Sequence, residues 1–117
     1  MFNVAIIGTD GAENYQTFVE KCIYYLRPKA SEGITIFSIE ENGMISDFAA
    51  KYKINVQIIL PDWYTFGKSA LSERNKRLIS LCNGVISFED GRKDTNIIKK
   101  MASDAGLPVK KVKRKSI

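Results

Sequence analysis

The 117-residue sequence contains no histidine, and only two cysteines, Cys22 and Cys82. A zinc site would have to be assembled from those two thiols and carboxylates, without the imidazole ligands such centres commonly use. Acid–base chemistry would fall to carboxylates, lysines, arginines, hydroxyls and backbone amides. Both cysteines stand at apolar positions of predicted helices, the setting of a buried thiol rather than a disulfide. No apolar run approaches the roughly 20 residues a membrane span requires. The opening Met-Phe-Asn-Val-Ala-Ile-Ile-Gly has neither a basic region nor a cleavage site, so no signal peptide is expected and the location read from the sequence is cytoplasmic. No internal repeat or low-complexity stretch stands outside the lysine-rich end.

What is present is ordinary for one globular domain: 44% hydrophobic and 26% charged residues, in a chain too short for two good cores. The net charge of +5 is local. Lys110, Lys111, Lys113, Arg114 and Lys115 account for all of it, leaving 13 basic residues against 13 acidic in the body. Such a tail either contacts nucleic acid or solvates the terminus, and the second is the commoner role.

Apolar β-rich runs alternate with helical patterns. Asn3 to Gly8 is continuously apolar and ends on glycine, as in a strand buried on both faces. From Glu13 to Leu26, the residues Tyr15, Phe18, Val19, Cys22, Ile23 and Leu26 recur at helical spacing until Pro28 ends the pattern. Ile34 to Ile39 is the second strand. A helix starting near Ser46 or Asp47 has Ile45, Phe48, Ala49 and Tyr52 as its stripe. Ile54 to Leu60 is a third strand stopped by Pro61, and a loop to Ser69 leads into a helix from about Lys68 to Cys82. Gly84 to Phe88 is the fourth strand. A last helix, Thr95 to Ala105, presents Ile97, Ile98, Met101, Ala102 and Ala105 to the core, and Leu107 to Val112 adds a fifth strand. Five alternations with short connections predict an α/β fold: a Rossmann-like three-layer α/β/α sandwich with a mainly parallel five-stranded sheet. In such sheets ligands bind beyond the carboxyl ends of the strands, where the strand order reverses.

Four segments should rise on that edge: Gly8-Thr9-Asp10-Gly11, Glu40-Glu41-Asn42-Gly43, Pro61 to Ser69, and Glu89 to Thr95. Three of them combine a glycine with a hydroxyl or amide near a helix start, where unpaired N–H groups and a partial positive charge favour an anion. Neither a G-x-G-x-x-G fingerprint nor a Walker lysine motif is present, and no cofactor or metal is expected. Pro61 to Asn75 reads Pro-Asp-Trp-Tyr-Thr-Phe-Gly-Lys-Ser-Ala-Leu-Ser-Glu-Arg-Asn. Its aromatic residues, outside any stripe, must pack down as a lid or offer a stacking face. Gly67 permits close backbone approach, Lys68 brings a point charge and Ser69 can cap the helix. The plainer reading of Ser-Glu-Arg-Asn-Lys-Arg is the solvated face of an amphipathic helix.

Asp62-Trp63, Phe66-Gly67-Lys68, Ala70 and Arg74-Asn75 together resemble the signature of the YspA-like family in the SLOG superfamily, related to the DprA and LOG proteins. The likeness spans nearly the whole chain. It implies a SLOG-like Rossmannoid domain over residues 1–109, with 110–117 as a basic C-terminal tail, and it leaves homo-oligomerisation open. It departs from the family at informative places. Asp10 stands where an arginine is usual, Asn42-Gly43 replaces a glycine pair, and Ile45-Ser46-Asp47 stands for Gly-Ala-Asp. Asp94-Thr95 takes the place of a glycine-threonine turn, and Ile98 occupies the position of the LOG branch's glutamate.

Three functions follow from the resemblance and the tail. The leading one is binding of a nucleotide or nucleotide-derived phosphate ligand, to sense or sequester it. Trp63 would stack on or shield a base, Lys68 and Arg74 would neutralise phosphate, and Gly8, Thr9, Gly91 and Thr95 would donate hydrogen bonds. Asn75 would orient the ligand or Arg74, with Asn42, Gly43, Asp62 and Gly67 completing the site. The second is an N-glycosidase or deoxyribosyl-transfer enzyme acting on a nucleoside or nucleotide, for which Asp62, Glu73 and Asp90 are the available carboxylates. The third is nucleic-acid binding through the tail.

Overall fold

The computed structural model describes residues 1–113. Strands β1 (Phe2–Ile7), β2 (Ile34–Ser38), β3 (Asn55–Ile58), β4 (Gly84–Phe88) and β5 (Val109–Val112) form one sheet in the order β3-β2-β1-β4-β5. All four pairings are parallel, with Val4 of β1 opposite both Ile36 and Gly84. β1, β2 and β4 are the near-continuous apolar runs of the sequence because they lie inside the sheet and are covered on both faces. The edge strands look different. β3 alternates polar and apolar residues and is largely exposed, and β5 carries Lys110 and Lys111 outward, which blunts that edge against pairing with another chain. The boundary drawn at 109/110 therefore falls inside β5, and of the basic tail only residues 114–117 lie outside the described residues.

The chain runs outward from β1 through β2 to β3, then returns across the sheet to β4 and β5. Right-handed crossovers then require the first two helices on one face and the later ones on the other. Helices α1 (Tyr15–Leu26) and α2 (Gly43–Tyr52) bury Phe18, Cys22, Leu26, Ile45 and Phe48 against Val4, Ile6, Ile36 and Ile86. On the opposite face α4 (Ala70–Leu81) and α5 (Lys93–Asp104) bury Leu78, Ile98 and Ala102, with Cys82 just past α4, against Ala5, Ile7, Phe37 and Val85. Phe18 anchors the first core, with its ring 5.3 Å from Phe88 and 6.0 Å from Phe48. Cys22 and Cys82 thus sit on opposite faces, both free, and burial pushes each thiol up to about 12.

Several local expectations are corrected. α2 begins at Gly43 rather than near Ser46, because Asn42 caps it. Pro61 to Ser69 is not an open loop: α3 (Trp63–Phe66) is a single helical turn capped by Asp62, and a 3₁₀ turn, Gly67–Ser69, joins it to α4. α5 buries Thr95, Ile98 and Ala102, while Ile97 and Ala105 face solvent. Ile98 and Ala102 are buried as expected, and the sheet surface narrows the stripe on one side while extending it to a threonine. No helix among the described residues is long and apolar enough to cross a membrane.

Candidate functional site

The reversal of strand order falls between β1 and β4, and a cavity of about 160 Å³ opens beside it at the carboxyl edge. Two turns build its floor. After β1, Gly8 adopts φ 68°, and the Gly11 N–H donates to the Gly8 carbonyl at 2.8 Å, curling Thr9–Gly11 into a 3₁₀ turn. After β4, Asp90 turns the chain into α5: its Oδ1 accepts from the Arg92 N–H at 2.9 Å and its Oδ2 from the Thr95 hydroxyl at 2.9 Å. The turns touch. A Cβ on Gly8 would lie 2.0 Å from the Phe88 carbonyl oxygen, and one on Gly11 would lie 2.5 Å from that of Glu89. Glycine at both positions lets the two strand tips close on one another.

The third wall comes from β2. Asn42 caps α2, its Oδ1 accepting from the Met44 and Ile45 N–H groups at 3.0 and 3.2 Å, and its Nδ2 donates to the Thr9 hydroxyl oxygen at 2.7 Å. Thr9 is buried, and with its oxygen accepting from Asn42 its own proton is free for a ligand. Thr95 is the reverse: its proton goes to Asp90, so in this arrangement it offers the cavity an acceptor. Replacing Asn42 by alanine should cost about 1–2 kcal/mol, the price of a lost N-cap plus a tertiary hydrogen bond. Asn42→Ser should recover the cap but, with a shorter side chain, not the Thr9 bond; thermal denaturation of both variants checks the split.

Arg74 and Leu71 of α4 close the cavity from the other face. Arg74 is only 8% exposed, although it lies in the hydrophilic run Ser-Glu-Arg-Asn-Lys-Arg. The solvated-face reading is overturned here, since Arg74 and the 6%-exposed Asn75 point inward with Leu78 one turn on. The Arg74 Nε donates to Asn75 Oδ1 at 2.9 Å, while its two terminal nitrogens have no hydrogen-bond or ion-pair partner among the described residues. Burial pulls the guanidinium below its usual pKa, an effect opposed by Asp94 and Glu40. It stays charged, as arginine does in proteins.

Of the residues anticipated from the sequence, Gly8, Thr9, Asn42, Arg74 and Thr95 line this cavity, and Asn75 holds Arg74 from behind. Gly43 is exposed at the start of α2, and Gly91 is exposed in the turn after β4. Asp62, Trp63, Gly67 and Lys68 are exposed and absent from the lining. The aromatic segment does not line the cavity: Trp63 is 57% exposed and Tyr64 faces solvent entirely. Asp62 serves as a cap, accepting from the Thr65 N–H at 3.0 Å, and its hydrogen bonds from Thr65 hold its carboxyl below the usual range. Glu73 pairs with Lys76 at 3.1 Å. Neither of these two carboxylates faces the cavity.

The chain has the fold of TM1055. That protein is a structural-genomics target solved by X-ray crystallography, and the superposition has a TM-score of 0.65 at 20% identity, covering 93% of this chain and 72% of that one. At that identity the likeness carries the fold alone. No protein-family model matches the sequence, and no curated protein does. The function therefore has to be read from the cavity itself.

The lining also includes charged residues that the sequence reading left out of the site. Arg92 Nη2 pairs with Asp10 at 2.9 Å across the mouth, and Glu40 stands just past β2. Their signal was positional: each lies within a few residues of a strand's carboxyl end, where a parallel sheet gathers its site. Among the described residues no cluster of three or more acidic or thiol side chains could hold a metal ion.

Proposed function

We propose that the protein binds a nucleotide or nucleotide-derived phosphate ligand at this cavity, as the YspA-like resemblance implies. The observation that carries the reading is Arg74: a buried guanidinium whose two terminal nitrogens open into a cavity at the strand-order reversal. Most of the side chain is desolvated, and its terminal nitrogens, which the protein leaves without partners, reach solvent through the cavity, where an anion would complete their hydrogen bonding. The fork geometry of arginine matches the paired oxygens of phosphate or carboxylate. The Thr9 hydroxyl and the N-terminus of α5, whose cap residue Arg92 makes no side-chain capping bond, supply further donors on the same side.

Size narrows the ligand. A cavity of about 150 Å³ holds a group the size of benzene, so this one takes a phosphate with part of its sugar and leaves a base over the rim. Trp63 has no part in the reading.

A thermal-shift screen against mono-, di- and cyclic nucleotides and ADP-ribose compounds tests it. A ligand present at 100 times its Kd should stabilise the native state by about 2.7 kcal/mol. Trp63→Ala should keep that shift and Arg74→Ala should lose it, with no free base released over hours. Release of base would transfer the reading to an N-glycosidase. A shift that survives Arg74→Ala, or no shift with any compound, would defeat the proposal.

A further inference from the structure

The charges around Arg74 do not balance. Arg92, the other cation of the lining, is already paired with Asp10 at 2.9 Å. Asp90 is engaged by Thr95 and by the Arg92 N–H. Glu40 and Asp94 also line the cavity, and their side chains make no hydrogen bond or ion pair among the described residues. Both are near enough to act electrostatically on Arg74 without contacting it. Arg74, 8% exposed and with open terminal nitrogens, points to an anion. That anion must nevertheless settle beside two unpaired carboxylates and a third, Asp90. Glu40 and Asp94 are themselves solvent-exposed, so water screens each like-charge interaction, but both carboxylates and Asp90 line the same cavity and act together against an anion held at Arg74.

We infer that the cavity takes its anionic group only together with a positive charge, which sits between that group and the carboxylates of Glu40 and Asp94. The inference rests on the phosphate reading above and narrows its ligand class. Two sources supply the same chemistry. One is an amine carried by the ligand itself, making it zwitterionic. The other is a magnesium ion, which characteristically binds through one or two carboxylates plus substrate phosphate oxygens. These two carboxylates are too few to form a metal site by themselves, so in either case the cation arrives with the anion.

The test uses small phosphate esters that differ in the cation alone. Titrations of glucose 6-phosphate, glucosamine 6-phosphate, and glucose 6-phosphate with magnesium would be run by calorimetry at fixed ionic strength. The proteins would be the wild type, the double variant Glu40→Gln/Asp94→Asn, and Arg74→Ala. In the wild type, one of the two cation-bearing conditions should bind about tenfold tighter than glucose 6-phosphate alone. The condition that does so identifies the source. In the double variant the ratio should fall to about one, through tighter binding of the bare ester. Equal affinities in the wild type would overturn the inference, as would a preference that the double variant retains. If Arg74→Ala still abolishes binding in those cases, the phosphate reading stands alone. If no ester binds either the wild type or the double variant, the inference falls, and the nucleotide screen above decides the phosphate reading.

Discussion

Gly8→Ala should lower the unfolding free energy by about 3 kcal/mol, and Gly91→Ala by only about 1. Both glycines have positive φ, 68° and 75°, so each substitution carries the same left-handed backbone penalty. They differ in surroundings. Nothing lies within 4 Å of a Cβ built on Gly91, whereas one on Gly8 meets the Phe88 carbonyl oxygen at 2.0 Å and Thr95 Cγ2 at 3.1 Å. The Phe88 carbonyl belongs to a strand paired on both sides and cannot swing away alone, so β1 and β4 would have to part at their tips. Overpacking of that kind costs about 1–3 kcal/mol beyond the φ term. At roughly 4 °C per kcal/mol for a domain of this size, the two variants should melt about 12 °C and about 4 °C below the parent. Gly8→Ala should also weaken phosphate binding, because the same contact brings Thr9 up to the β4 turn. Equal losses at the two sites would mean that the strand tips are not held against one another.

That contact is invisible in the sequence, which shows only a glycine after an apolar run. Much else was legible. The parallel α/β architecture follows from apolar runs alternating with 3.6-residue periods, and β1, β2 and β4 are recognisable because a strand covered on both faces has no polar side. Elements under weaker packing constraint were read less well. Asn42 and Asp62 each start a helix earlier than its apolar stripe does, since a cap is a local hydrogen bond and leaves no hydrophobic periodicity. The expected stripe of α5 is too wide: Ile98 and Ala102 are buried as expected, but Ile97 is equal to Ile98 by hydropathy and only the sheet beneath excludes it while burying Thr95. The site divides in the same way. Residues at strand ends, such as Thr9 and Thr95, could be placed from topology, and Arg74 came from the family signature against the hydropathy of its neighbours. The same signature pointed to Trp63 and Lys68, but α3 holds that segment at the surface. Motif membership marked the segment; only tertiary packing separated the side chain turned inward from those turned out.

Arg74→Met should abolish phosphate-dependent stabilisation while leaving the ligand-free protein within about 1 kcal/mol of the parent. Methionine keeps an unbranched apolar stem of similar reach, so the buried space that the Arg74 stem occupies stays filled. Two effects then oppose each other. Removing a partly desolvated charge that has no ion-pair partner is favourable, and orphaning Asn75 Oδ1, which accepts from Nε at 2.9 Å, costs about 1 kcal/mol. An arginine that served a structural ion pair would behave differently, since removing one partner of a buried pair costs about 3–5 kcal/mol. The ligand-free melting temperature therefore separates the two roles before any ligand is known. Arg74→Lys refines the result: it keeps the charge but loses the planar fork, so binding should weaken by about tenfold rather than vanish. A ligand-free protein strongly destabilised by Arg74→Met would assign this arginine to the scaffold, and the cavity would lose the one group that makes it a phosphate site.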